Sequence, residues 1–211
     1  MQAERVAVVG AGAVGCYFGG MLARAGVPVT LIGRAFHVEA VQRDGLFLER
    51  SDFQGYVRSD ADVHIEAVRK AAIVLLCVKT VDTESAAVAL APHVGDGAIL
   101  VSLQNGVDNV ERIRRATGID AVPAVVYVAV ATAAGVFLPD AEHLTTAALK
   151  LGQAMAEATS STAQDLARGK PTEIDSLNGY VARRGAELGV PAPVNSTLHA
   201  LVKLLESTMI R

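Results

Sequence analysis

Apolar residues fall in two patterns along this chain: short unbroken runs through the first part, and helix-spaced positions after them. Val6-Ala7-Val8-Val9, Val29-Thr30-Leu31-Ile32, residues 71–78, 99–103 and 122–130 are β-branched or apolar at successive positions. Such runs suit strands of a parallel sheet whose two faces are both covered by helices. The segments between them predict helices over 14–25, 36–43, 80–89 and 107–116, and Leu46-Phe47-Leu48-Glu49-Arg50 with Tyr56-Val57-Arg58 predicts a β-hairpin. After Thr132 the strand pattern stops. Apolar residues then recur at helical spacing over 141–158, 172–188 and 196–207, which predicts a helical region.

The first run leads directly into Gly10-Ala11-Gly12-Ala13-Val14-Gly15. Glycines at this spacing, between a strand and an apolar helix, suit a dinucleotide-binding turn. Gly10 permits the tight turn, Gly12 lets a pyrophosphate approach the backbone, and Gly15 lets helix and sheet pack closely. The phosphates would rest on N–H groups at the helix N-terminus. The motif is short and glycine-rich turns are common, so the flanking strand and helix carry much of the inference.

Composition narrows the class. The 211 residues are 51% hydrophobic and 19% charged, with a formal net charge of -3, which predicts a soluble globular protein rather than a disordered or nucleic-acid-binding one. No apolar run approaches the roughly 18 residues of a membrane span, and the first strand begins too early to leave room for a signal peptide, so a cytoplasmic location is expected. Cys16 and Cys77 read as small buried side chains, and no disulfide is expected in a reducing compartment. The histidines are dispersed without ligand spacing, so no metal site is predicted.

Three further positions lie at predicted strand ends, where open α/β sheets bind ligands. Gly33-Arg34 follows the second run, where an acidic residue would bind the ribose hydroxyls of NAD; an arginine instead offers a cation for the 2′-phosphate of NADP. It equally fits a solvated loop arginine. Lys79 would direct its ammonium toward the cofactor, or simply start the next helix. Asn105 offers a neutral amide to a ribose, a nicotinamide or a substrate oxygen, although Asn-Gly is also an ordinary turn dipeptide.

Together, the glycine turn, Gly33-Arg34, Cys77-Val78-Lys79-Thr80, Gln104-Asn105-Gly106 and Val125-Val126-Tyr127 resemble the 2-dehydropantoate 2-reductases, or ketopantoate reductases. The resemblance resumes in residues 160–175, Asn178-Gly179 and Gly189-Val190-Pro191-Ala192-Pro193-Val194-Asn195. It implies NADPH-dependent reduction of ketopantoate to pantoate, on the route to pantothenate and coenzyme A. It also implies that Ser161 binds substrate and Glu173 binds the cofactor ribose, with Asn105 serving either ligand. On their own, Ser160, Ser161 and Thr172 read as helix caps, Glu173 as a first-turn carboxylate, and Asn195 or Ser196 as the cap of the last helix.

The chain departs from the resemblance after about residue 132. Ala133-Ala134-Gly135 and Pro139 read as a helix C-terminus with no helix before it. A block the size of a small domain is expected there, carrying the family's general-acid lysine and substrate-binding asparagines. No residue here takes those roles, and Lys79 is the one weak substitute for the acid. The expected fold is a Rossmann-type doubly wound, mainly parallel α/β domain over 1–132, followed by a shortened all-helical substrate or dimerisation domain over 133–211. Alternative readings are an NADP-binding remnant or incomplete subunit without catalysis, and a reductase of another small 2-keto acid. A homodimer or a poorly soluble chain is expected, because the apolar helix faces would normally pack on the absent block.

Overall fold

The structure is a computed structural model and describes residues 4–50, 53–124 and 159–209. The chain divides into two compact units, Met1–Tyr127 and Val128–Arg211. Among the described residues no helix is long and apolar enough to cross a membrane.

The first unit is built on a sheet of order β5-β2-β1-β6-β7-β8. Its strands are β1 (Val6–Val9), β2 (Val29–Ile32), β5 (Asp60–Asp62), β6 (Ile73–Leu76), β7 (Ile99–Ser102) and β8 (Val122–Pro123). All neighbours run parallel, with Val9 opposite both Ile32 and Leu76 and Leu76 opposite Ser102. The unbroken apolar runs are explained by burial on both faces. Val6 and Val8 join Leu31, Leu75, Val41 and Leu46 in one core cluster, whereas Ala7 and Val9 join Val74, Leu76, Leu90, Leu100 and Ile113 in the other. Leu31, Leu76, Leu90, Leu100 and Ile113 are fully buried, and each contributes roughly 1.5–3 kcal/mol relative to an exposed side chain.

Helices α1 (Ala13–Arg24) and α2 (Ala35–Asp44), with the hairpin β3 (Leu46–Arg50) and β4 (Phe53–Val57), supply the first cluster. The antiparallel hairpin pairs Phe47 with Tyr56 and forms a separate two-stranded sheet. Helices α3 (Thr83–Leu90) and α4 (Asn109–Thr117), with the 3-10 turn Ile65–Lys70, supply the second cluster. Gly118, at φ 76°, closes α4 in the left-handed conformation that glycine adopts most readily.

Several boundaries differ from expectation. The strand expected over 71–78 is Ile73–Leu76, and the helix expected from Thr80 opens with a 3-10 turn, Thr80–Asp82. Strand β5 escapes hydrophobic patterning because it is an edge strand of sequence Asp-Ala-Asp. The described part of the last expected strand is Val122–Pro123. The remainder, the expected helix over 141–158 and the expected gap after residue 132 lie outside the described residues.

The second unit contains α5 (Ser161–Ala167), the 3-10 turn Ile174–Ser176, α6 (Asn178–Glu187) and α7 (Pro193–Met209). Ser160 caps α5 by accepting from Ala163 N at 3.2 Å. The caps expected farther on are corrected. Thr172 is buried and its N–H and Oγ1 both donate to Glu206 Oε1 at 2.7 Å, anchoring a loop to α7, while its Oγ1 also accepts from Ile174 N at 3.3 Å, at the start of the 3-10 turn rather than of α6. Proline at the start of α7 places Asn195 and Ser196 inside the first turn, where Asn195 Oδ1 accepts from Asn178 Nδ2 at 2.9 Å.

Candidate dinucleotide site

The strand order reverses between β1 and β6, and a doubly wound sheet opens a crevice at the carboxyl ends of the strands flanking such a point. Gly10 leaves β1 at φ 104°. A Cβ there would lie 2.8 Å from the Cys77 carbonyl carbon and Val78 N, so only hydrogen permits the two strand ends to approach this closely. The turn is held by Gly10 N and Ala11 N donating to Ile32 O at 2.9 and 3.2 Å. On Gly15, a Cβ would lie 2.1 Å from Gly10 O, and on Gly33 it would lie 2.7 Å from Ala11 Cβ. Beside Gly12 there is nothing within 4 Å. Thus Gly10, Gly15 and Gly33 are required by packing, while Gly12 faces open space.

Helix α1 starts without a side-chain cap and without an acidic residue in its first turn. Its leading N–H groups, in the Ala13-Val14-Gly15 turn, therefore meet no competing carboxylate there, an arrangement suited to an anion. Arg34 is the N-cap residue of α2, exposed, and makes no ion pair among the described residues. Lys79 is exposed at the N-cap of the 3-10 turn after β6, and Asn105 is exposed in the loop after β7. The structure therefore brings Gly10, Ala11, Gly12, Ala13, Val14, Gly15, Arg34, Lys79 and Asn105 to the carboxyl edge of one sheet.

Beneath Lys79 and Asn105 lies a polar network that the sequence did not reveal. Gln104 Nε2 donates to Val78 O at 3.0 Å and to Thr83 Oγ1 at 2.9 Å, while its Oε1 accepts from Ser102 Oγ at 3.0 Å. Asn109 Nδ2 donates to Asn105 O at 2.7 Å, and Thr80 Oγ1 donates to the same carbonyl. In sequence, Thr83 and Asn109 lie inside predicted helices and Gln104 only within the Gln104-Asn105-Gly106 motif. Their only sequence signal was polar residues at helix starts just after strands.

Cys16 and Cys77 are free and only half-buried. Burial, followed by the nearby Cys16, pushes the Cys77 thiol up to about 12; burial raises Cys16 as well. Among the described residues no cluster of His, Cys, Asp and Glu could hold a metal ion.

In the second unit Ser161 is exposed at the start of α5, and Glu173 precedes the 3-10 turn Ile174–Ser176 rather than lying in the first turn of α6. The loop bearing Glu173 is tied to α7 on both sides. Thr172 bonds Glu206, whereas Asp175 accepts from Lys203 Nζ at 2.9 Å and meets His199 Nε2 at 2.7 Å. Lys203 also pairs with Glu206 at 2.8 Å. Burial alone would raise the Asp175 carboxyl, but the His199 and Lys203 hydrogen bonds outweigh it and lower its pKa. Glu206 behaves likewise, with Lys203 and Thr172 overcoming burial.

The reversed parallel sheet and its glycine turn define a Rossmann-type α/β protein. The chain matches the ketopantoate reductase PanE/ApbA family over residues 6–155 and that family's C-terminal region over residues 107–206; it belongs to this family. It is 36% identical over 114 residues to a 2-dehydropantoate 2-reductase of Pyrococcus horikoshii, covering 54% of this chain and 37% of that protein. The match to the Halobacterium salinarum 2-dehydropantoate 2-reductase is 40% over 107 residues, 50% of this chain and 35% of that one. The matched stretch thus spans little more than a third of these relatives' length. The crystal structure of a PanE/ApbA family ketopantoate reductase from Ralstonia eutropha JMP134 superposes with a TM-score of 0.81 at 34% identity, covering 99% of this chain and 100% of that one.

Proposed function

We propose that this chain binds NADPH and acts as a 2-dehydropantoate 2-reductase, transferring a hydride to the keto carbon of ketopantoate to give pantoate. The observation that carries the cofactor half is the packing of Gly10, Gly15 and Gly33, which leaves open space at Gly12 beside an uncapped helix start. These residues fit a bound dinucleotide. Residues 10–15 would take the pyrophosphate and Arg34 the 2′-phosphate. Lys79 and Asn105 would take the nicotinamide half, and Glu173 a ribose hydroxyl. NADPH would supply the hydride. The protein must supply a proton or fixed positive charge at the ketone oxygen, and general acids of this kind are worth roughly 10²–10⁴-fold in rate.

Ser161 and Asn105 are the proposed substrate contacts, and Lys79 is the proposed stand-in for the acid. The functional boundary is proposed near residue 132, with a shortened substrate or dimerisation region after it and a family block absent there. That absence favours a second reading, cofactor binding without turnover, because the acid the resemblance implies has no counterpart in this chain. An NADPH titration followed by an oxidation assay with ketopantoate separates the two. Turnover at an ordinary rate of roughly 1–10³ per second supports the reductase; tight NADPH binding without ketopantoate-dependent oxidation supports the binding unit; absence of NADPH binding overturns both.

A homodimer is part of the proposal. Leu198, Leu201 and Leu205 recur at helical spacing along α7 and are exposed, as expected of a face that associates. Sedimentation showing only monomer at micromolar concentration would remove that element.

A further inference from the structure

We infer that Gln104, Thr83 and Asn109 are positioning residues, a buried clamp that sets where Lys79 and Asn105 stand relative to each other. The inference rests on the reading that these two residues face the nucleotide. Strands β6 and β7 stop pairing just before the residues in question: Leu103 N donates to Leu76 O at 2.9 Å, after which the backbones separate into loops. From that point side chains take over the connection. Gln104 Nε2 holds Val78 O, the carbonyl of the peptide leading into Lys79. On the other side, Asn105 O receives both Asn109 Nδ2 and Thr80 Oγ1, which occupies its two lone pairs and fixes that peptide plane.

Thr83 joins the two halves. Its hydroxyl accepts from Gln104 Nε2, and its single proton serves Thr80 O at 2.8 Å or Asn109 Oδ1 at 3.0 Å. The amide orientations are dictated by the partners, since Val78 O and Asn105 O can only accept. Thr83 is 0% exposed, Asn109 3% and Gln104 4%. Water therefore does not compete, and loss of one member leaves the others buried and unsatisfied. A buried network of this kind holds geometry more than it adds net stability.

The test is NADPH binding by the 211-residue chain, measured well below its unfolding midpoint, for Thr83→Val, Thr83→Ser, Asn105→Ala and the double variant Thr83→Val/Asn105→Ala. Thr83→Val should raise the Kd about tenfold, the scale of one buried polar group left unpaired. Thr83→Ser, which keeps the hydroxyl, should stay near wild type. In the Asn105→Ala background Thr83→Val should cost clearly less than its roughly tenfold in wild type, because one of the two groups it positions has gone and only Lys79 remains to be held. Additive losses, or a lowered Tm with unchanged Kd, would mean that the network only stabilises the fold, and the inference would fall. If Thr83→Val does not fold, Ser102→Ala takes its place. It frees only Gln104 Oε1, and it should weaken NADPH binding more in the wild-type background than in the Asn105→Ala one. Wild-type chain that fails to bind NADPH would overturn the cofactor reading itself, and this inference with it; wild-type binding with additive variants would overturn the clamp alone.

Discussion

Gly15 lies directly beneath the carbonyl of Gly10, so close that a Cβ on Gly15 would stand 2.1 Å from that oxygen. Neighbouring Gly12 has nothing within 4 Å and sits at φ -91°, a backbone angle open to any residue. Glycines of one motif thus answer to different demands. Gly15→Ala should force the Gly10 turn away from α1 and lower stability by roughly 1–3 kcal/mol or more. Gly12→Ala should leave the melting temperature nearly unchanged while weakening NADPH. Thermal melts and cofactor titrations of the two variants check this, and equal loss of stability in both would contradict it.

Arg34 should discriminate between cofactors. Arg34→Ala is expected to weaken NADPH by roughly 10- to 100-fold, the scale of a charge-assisted contact, and to leave NADH within about twofold. Equal losses for both cofactors in a binding titration would take Arg34 away from the 2′-phosphate.

Cys77 should be inert in the native protein. With its thiol pushed up to about 12 by burial and by nearby Cys16, almost none of it is thiolate at neutral pH, and the thiolate is the reactive form. Alkylation by iodoacetamide at pH 7.5 should proceed at Cys77 only as fast as the unit opens. Rapid labelling at both cysteines, followed by mass spectrometry, would refute this.

The ties between the Glu173 loop and α7 should fail in acid. The Asp175 and Glu206 carboxyls lie below their ordinary values of 3.8 and 4.5. Their contribution to stability is therefore complete above those values and is lost as pH falls through the lowered ones. Lys203 is shifted the other way, raised by Glu206 and then Asp175 above 10.5, so its contribution disappears only in strong base. Hydrogen exchange at Thr172 and Ile174 should stay slow, after correction for intrinsic rates, from pH 5 to 9 and speed up below about pH 4. Glu206→Gln should flatten that acid limb; an unchanged limb in the variant would show that Glu206 does not govern it.

Much of the first unit was legible in the chain itself. Unbroken apolar runs at residues 6–9, 29–32 and 73–76 could be satisfied only by burial on both faces, and the glycine turn placed the first strand end against a helix start. These are local constraints, written in adjacent residues. The edge strand Asp60–Asp62 was not legible, since pairing with β2 satisfies its backbone and imposes no apolar pattern on its side chains. Nor was the role of Thr172, whose partner Glu206 is 34 residues away. In sequence, Thr83 and Asn109 lie inside predicted helices and Gln104 stands only as part of the Gln104-Asn105-Gly106 motif, with nothing to show that the three meet. Only the parallel pairing of β6 with β7 brings the loops after them together, and only burial makes their side chains satisfy one another instead of water. The sequence by itself determined the apolar strands, most helices of the first unit and where the glycine turn lies; tertiary structure decided the edge strand β5 and which distant polar groups meet, because neither an edge pairing nor a hydrogen bond between residues far apart in the chain leaves a periodic trace along it.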